Sequence, residues 1–246
     1  MTTRLQHALA DWSSWPLSLT EPPGVVAVLD AGRTNLNYRL RAPGLGDDLV
    51  LRLHRLDSAR LGVDRQREQR IVRLTAEAGL GRPCWYWNEA ADYSLHPYID
   101  ARAWQAGDFS RRMQRRRLWP LIEQLASIEF ADQRRSYGDY LSRYWAELES
   151  SGAMNRKLQD EWRAFLPDLE LFDRGNWPAV LTHHDLVPAN VLDTGDRLIL
   201  IDWEYAALGH PDIDCWAIDP RIVSDPFVIE LVKWTHRLWE LLATGP

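Results

Sequence analysis

Cysteine is scarce: Cys84 and Cys215 are the only two in 246 residues, and they stand far apart in the chain. That argues against a disulfide framework and fits a reducing compartment. The opening Met1-Thr-Thr-Arg-Leu-Gln-His lacks the apolar core of a secretory signal. No apolar run approaches the length needed to span a bilayer. The expectation is a soluble, cytoplasmic protein with no membrane partner. A basic surplus is missing too. The net charge is −6, which leans against nucleic acid as a partner. It is compatible with a cationic substrate without establishing one. There is no Gly-x4-Gly-Lys-Ser/Thr stretch, so a P-loop is excluded as a phosphate cradle.

What is present suffices for a sizeable core. Hydrophobic residues make up 46% of the chain, and the length suits one large domain or two small lobes sharing a cleft. Residues 24–29, 37–40 and 49–53 read as strands, separated by turn chemistry at 30–35 and around Gly44 and Gly46. The spacing of Ile71, Leu74 and Ala78 predicts a helix over 64–78, with Gly79 as its C-cap. Residues 95–99 form another strand candidate. Helices are expected over roughly 110–130, 137–150 and 155–166, and a last one opens at Asp225-Pro226. The basic run Arg111 to Arg117 reads as the solvated face of the first of these, with a phosphate- or partner-binding patch as the alternative. A β-rich front and a helical back imply an α/β chain of two lobes: residues 1–98 and residues 99–246.

The informative stretch is Leu181-Thr-His183-His184-Asp185-Leu-Val-Pro-Ala-Asn190-Val-Leu-Asp-Thr-Gly195-Asp-Arg-Leu-Ile-Leu-Ile-Asp202-Trp203-Glu204-Tyr. Two apolar runs around Thr194-Gly195-Asp196 read as a β-hairpin. A turn centred near Asp196 sets Asn190 opposite Asp202, with side chains on one face about 5 Å apart. An amide oxygen and a carboxylate so placed can share one Mg²⁺, which prefers few protein oxygens. Asp185, in the loop entering the hairpin, is close to that metal without being needed as its ligand. A base taking a hydroxyl proton during γ-phosphoryl transfer would sit there. Asp-x4-Asn followed by a hairpin-end Asp, with His183 two residues before Asp185, matches the catalytic logic of protein kinases.

These residues resemble the aminoglycoside phosphotransferase and choline kinase family, nearest its choline, ethanolamine and thiamine kinase branch. Ile201-Asp202-Trp203-Glu204-Tyr205-Ala206 is similar to that branch's typical string, and Pro211-Asp-Ile-Asp214 to its structural aspartate segment. Gly32-Arg-Thr34-Asn35 resembles the loop covering the nucleotide. Arg52 stands where the family has the basic residue on the ATP phosphates, Glu68 where it has the Glu orienting that residue, and Tyr98-Ile99 where its hinge backbone meets adenine. The resemblance implies a protein-kinase-like two-lobe fold, ATP and Mg²⁺ as cofactors, and a small-molecule alcohol as substrate. In this assignment Asp185 is the catalytic base, and Asn190 and Asp202 hold the metal. Gly32, Thr34, Asn35, Arg52, Glu68 and Tyr98 serve the nucleotide. Glu204, Trp203 and Trp234 are candidates for the acceptor site. Ala101 stands where the family often has Gly, and Ile128-Glu129 replaces a frequent Leu-His.

Each signal has a plainer reading. Asp185, Asn190 and Asp202 could separately be turn and strand-end residues, and Arg52 a snorkelling residue. The His183-His184-Asp185 run could suggest zinc, but no further His or Cys stands at useful ligand spacing. Most of the thirteen tryptophans should be packing residues. Two alternatives remain to the amino-alcohol kinase. One is an aminoglycoside or sugar phosphotransferase of the same fold. The other is a nucleotide-binding pseudokinase acting as a regulatory module.

Overall fold

The computed structural model describes residues 3–30, 35–152 and 154–244. In chain order the elements are α1 (Thr3–Ala10), β1 (Gly24–Asp30), β2 (Asn35–Arg41), β3 (Leu49–His54), α2 (Arg65–Glu77), β4 (Tyr86–Trp87), β5 (Tyr93–Pro97) and β6 (Arg102–Ala103). There follow α3 (Ala106–Ser110), α4 (Arg112–Ala126), α5 (Tyr137–Ser151), α6 (Arg156–Arg174), β7 (Val180–Thr182), β8 (Val191–Asp193), β9 (Leu198–Leu200), β10 (Ala207–Gly209), α7 (Asp212–Ile218) and α8 (Pro226–Thr244). No helix among the described residues is long and apolar enough to cross a membrane. The chain divides into two units. One comprises Met1–Ser58, Gln69–Arg102 and Leu192–Ile201; the other comprises Ala59–Glu68, Ala103–Val191 and Asp202–Pro246.

The first unit is built on a five-stranded antiparallel sheet ordered β1-β2-β3-β5-β4. Strand β3 runs through its middle and is buried at every position. Side chains alternate across a strand, so its two faces differ. Leu49, Leu51 and Leu53 join Tyr38, Leu40, Tyr93 and Leu95 in a core closed by Leu5, Ala8 and Trp15. Val50, Arg52 and His54 occupy the opposite face, with Ser94 and His96 of β5 beside them. The edge strand β1 carries two register irregularities, which twist an edge away from further pairing.

The second unit is mainly helical. Its core gathers Tyr144 and Leu148 of α5, Trp162, Phe165 and Leu169 of α6, and Val228, Leu231 and Leu238 of α8. Ser136 caps α5 through the Asp139 amide, and Asn155 caps α6 through the Leu158 amide. Helix α5 stops at Gly152, whose φ of 71° is the left-handed conformation a C-terminal glycine supplies. Helix α6 runs to Arg174, beyond the expected end near 166. Pro167 sits inside it, yet the buried stripe of Leu158, Trp162, Phe165, Leu169 and Phe172 continues through the proline, and packing outweighs propensity. In α4 the residues Leu118, Ile122 and Leu125 are buried; Arg111, just before it, and Arg112 and Arg116 are exposed, while Arg115 and Arg117 are half-buried and donate to the Phe109 carbonyl and to Gln114. The exposed three form the solvated face expected of the basic run.

Candidate active site

Strands β7 and β10 pair antiparallel, with Ala207 opposite Thr182 and Gly209 opposite Val180. The chain leaves β7 into His183, His184 and Asp185, and it reaches β10 from Asp202 through Ala206. The pairing therefore sets these two segments alongside each other. The ring of Trp203 rests on that of His183, centroids 4.6 Å apart.

The loop after β7 is tied down by its backbone. Asp214 of α7 is buried, and its two carboxylate oxygens accept the His183 N–H at 2.7 Å and the His184 N–H at 3.1 Å. Burial pushes its pKa up to about 7 against the pull of those two hydrogen bonds. His184 takes a left-handed backbone, φ 63°, which costs strain that the surroundings must offset. Its Nδ1 bonds to the Thr182 carbonyl and its Nε2 to the Tyr137 hydroxyl, at 3.2 and 3.1 Å. The same hydroxyl accepts the His210 N–H at 2.9 Å.

Gly209 is the residue this arrangement requires. A Cβ there would lie 2.4 Å from His184 Cε1 and 2.7 Å from the Tyr137 oxygen. Gly209→Ala is expected to displace His184 and cost about 1–3 kcal/mol. A lowered midpoint in thermal unfolding checks it, and an unchanged midpoint would contradict it.

Asp185 sits at the end of this loop. Its N–H donates to His183 Nδ1 at 3.3 Å. Asn190 Nδ2 donates to both the Asp185 carbonyl, at 2.9 Å, and its Oδ2, at 3.1 Å. An amide nitrogen has two hydrogens, and both go to Asp185. The remaining polar atom of that side chain is Oδ1, an acceptor. Burial first, then the negative charges of Asp202 and Glu204, push the Asp185 pKa up to about 8; the Asn190 bond opposes them.

The hairpin register predicts Asn190 and Asp202 as partners in one ladder, but the two strands, Val191–Asp193 and Leu198–Leu200, stop short of both residues. Asn190 closes a 3-10 turn, Pro188–Asn190, just before β8. Asp202 follows β9 with φ 67°, a left-handed conformation that Asp tolerates better than most residues. The turn itself closes between Thr194 and Arg197. Pairing of β7 with β10 sets the segment holding Asp202 alongside the one holding Asp185, and the Asp202 charge acts on Asp185.

Three of the other expectations meet specific neighbours. Glu204 is buried, and Arg65 Nη1 binds it at 3.2 Å and Glu68 at 2.6 Å. Trp234 is stacked on Phe165 and set edge-on to Trp162 in the helical core, which is the packing reading. The Tyr98 amide donates to the Asp48 carbonyl at 2.8 Å, and its ring lies under the Arg39 guanidinium, 3.9 Å away. That N–H is thus already engaged. Asn35 and Arg52 are buried in the first unit, 4% and 5% exposed. Gly32 and Thr34 lie outside the described residues.

No local signal in the sequence marks Arg65, Arg135 or Tyr137 as part of the site. Arg135 is buried, donates to the Tyr205 carbonyl at 2.7 Å and lies 4.4 Å over the Tyr140 ring. Burial, with Asp185 among the lesser causes, raises the pKa of both Tyr140 and Tyr205.

The donor set suits a hard cation. Asp202 and Asn190 Oδ1 are one carboxylate and one amide oxygen, and Mg²⁺ takes few protein oxygens because it keeps water and phosphate. No group of three or more His, Cys, Asp or Glu among the described residues could hold a metal, so an all-protein cage is not what the residues offer.

Comparison with known proteins agrees on one family. Protein LicA of Haemophilus influenzae is 33% identical over 85 residues, which are 34% of this chain and 29% of that protein. The match thus spans less than a third of the length of the curated relatives. A choline/ethanolamine kinase family protein from Mesorhizobium loti superposes with a TM-score of 0.66 at 22% identity, over 96% of this chain and 76% of that one. Choline kinase LicA from Streptococcus pneumoniae gives 0.71 at 17%, over 97% and 90%. A macrolide 2'-phosphotransferase from Brachybacterium faecium gives 0.55 at 20%, over 100% and 84%. At these identities the structures establish a shared fold, the one the sequence resemblance implies. The model of the phosphotransferase enzyme family matches residues 25–240, and the chain belongs to that family.

Proposed function

We propose that this protein is an ATP- and Mg²⁺-dependent kinase that phosphorylates a hydroxyl of a small cationic alcohol, with Asp185 as the base. The observation that carries the reading is the Asp185–Asn190 pair. Asn190 holds the Asp185 carboxylate with one amide hydrogen and its carbonyl with the other, and turns Oδ1 away as a ligand. Asn190 Oδ1 and Asp202 would hold Mg²⁺, which when bound supplies positive charge to the transferring phosphoryl group. Asp185 accepts the proton of the attacking hydroxyl. Burial and the neighbouring carboxylates raise its pKa, which strengthens it as a base. His183 fixes the Asp185 backbone, and Asp214 fixes His183.

Arg52 is assigned to the ATP phosphates. Its replacement removes charge-assisted hydrogen bonds, so Arg52→Ala is expected to raise the KM for ATP about 10–100-fold. Circular dichroism should show the fold intact. An unchanged ATP dependence of turnover would remove the assignment.

An amino alcohol such as choline, ethanolamine or thiamine is the acceptor we favour. Asp202 and Glu204 put negative charge beside Asp185, offset in part by Arg65 at Glu204, and Tyr140 and Tyr205 add rings that sense Asp185. Such surroundings favour a cation over a neutral sugar. Because Arg65 engages Glu204, we give Glu204 a positioning role. Turnover with choline, ethanolamine and thiamine should exceed that with sugars and aminoglycosides in one coupled assay. The reverse order would move the acceptor to the antibiotic or sugar class.

A further inference from the structure

The face of the first unit's sheet that carries Arg52 holds a second set of polar groups. Arg52 lies directly opposite Ser94 in the β3–β5 register. His54, Ser94 and His96 share its face and are 1%, 0% and 4% exposed. His54 Nδ1 lies 2.7 Å from the Ala91 carbonyl, and His96 Nδ1 lies 3.0 Å from the Pro83 carbonyl. A carbonyl oxygen only accepts, so each ring carries a hydrogen on Nδ1. The two Nε2 atoms then face one hydroxyl. Ser94 Oγ stands 2.9 Å from His54 Nε2 and 3.0 Å from His96 Nε2. A hydroxyl has a single hydrogen. With both imidazoles neutral the row is one hydrogen short, and lone pairs oppose each other at one of the two contacts. One added proton completes it: one ring donates Nε2–H to Oγ, and Oγ–H donates to the other ring.

Charge opposes that proton. Burial, followed by the positive charges of Arg82 and Arg52, holds the His96 pKa well below the usual histidine range. The elements packed around the row add further groups. Arg4 of α1 donates to the His54 and Asp92 carbonyls. Arg70, Arg73 and Glu77 of α2 line one groove with Pro83, Cys84, Trp85, Tyr86 and Trp87, and the Trp87 ring lies 4.8 Å from that of His54. An anion on Arg52 cancels part of the field that keeps the proton out.

We propose that His54, Ser94 and His96 form a proton-binding site that fills when an anion binds Arg52. The proposal rests on the assignment of Arg52 to the ATP phosphates. The proton comes from solvent and bonds to one Nε2; no other covalent bond forms or breaks, and the row gains one positive charge. Linkage makes the effect reciprocal. ATP binding draws in a proton, and lower pH tightens ATP binding, by at most about tenfold per pH unit. The dependence ends once the row is filled without nucleotide.

Calorimetric titration of the full chain with Mg·ATP, in buffers of different ionisation enthalpy, counts the protons taken up. The wild type should take up more protons per nucleotide than Ser94→Ala or His96→Gln, by up to one. The variants subtract the protons that belong to the nucleotide itself. Equal uptake in all three proteins, with ATP bound, would overturn the proposal and leave Arg52's role standing. Failure of the wild type to bind Mg·ATP would overturn both. Should the variants not fold, ¹⁵N spectra of the wild-type histidines decide. One buried ring should gain a second N–H on adding Mg·ATP, and unchanged ring shifts under saturating nucleotide would overturn the proposal.

Discussion

Asp185→Asn should lower kcat by about 10²–10⁴-fold while leaving Mg·ATP affinity close to that of the wild type. A neutral alcohol is a poor nucleophile, and its proton must leave as the phosphoryl group arrives. The amide keeps the size of the side chain and loses the basic oxygen. The backbone carbonyl that accepts from Asn190 is untouched, so the metal-facing orientation of Asn190 Oδ1 should survive. Full activity in the variant would remove the assignment. Lost ATP binding with a preserved fold would instead make Asp185 part of the metal site.

Asp214→Asn should cost about 2–4 kcal/mol, or about 5–15 °C in the unfolding midpoint. The carboxyl group gives one oxygen to each of two adjacent backbone N–H groups, and the neutral acid can still do so because its hydroxyl oxygen keeps a lone pair. An amide has one oxygen, and its NH2 would confront the second N–H, which is then buried without an acceptor. The pH dependence has a definite sign. The folded pKa, about 7, lies above the ordinary carboxyl value of 3.8. The stability this group contributes is therefore fully present below about 4 and is lost as pH rises through about 7. The gap between wild type and variant should narrow over that range. A variant as stable as the wild type at pH 5 would contradict the account.

Much of the fold could be read from local pattern. The first three strands show in short apolar runs closed by turn residues, and Gly79 ends α2 with φ 73°. Asp225-Pro226 opens α8, with Asp225 accepting the Phe227 amide. Other parts carry no such signal. Helix α1 is eight residues long, too short to show a clear period. Strands β7 and β10 have three residues each, and their pairing is non-local. That pairing sets the segment of Asp202 alongside that of Asp185. A 3-10 turn at Pro188–Asn190 and the left-handed Asp202 end the hairpin ladder on either side. The types of residue for a kinase site were legible because the chemistry demands them at fixed spacing. Their partners were not. Nothing in sequence couples Arg65 to Glu204, or the Tyr137 hydroxyl to His184, because helix packing makes those contacts.

The most direct test of the central claim is ADP release by the wild-type chain, with ATP and Mg²⁺, as choline, ethanolamine and thiamine are each added. The account predicts ADP formed in step with a phosphorylated alcohol, for at least one of them, and abolished when Mg²⁺ is chelated. Tight ATP binding without alcohol-dependent ADP from these, or from sugars and aminoglycosides, would contradict it and leave a nucleotide-binding module in place of a kinase.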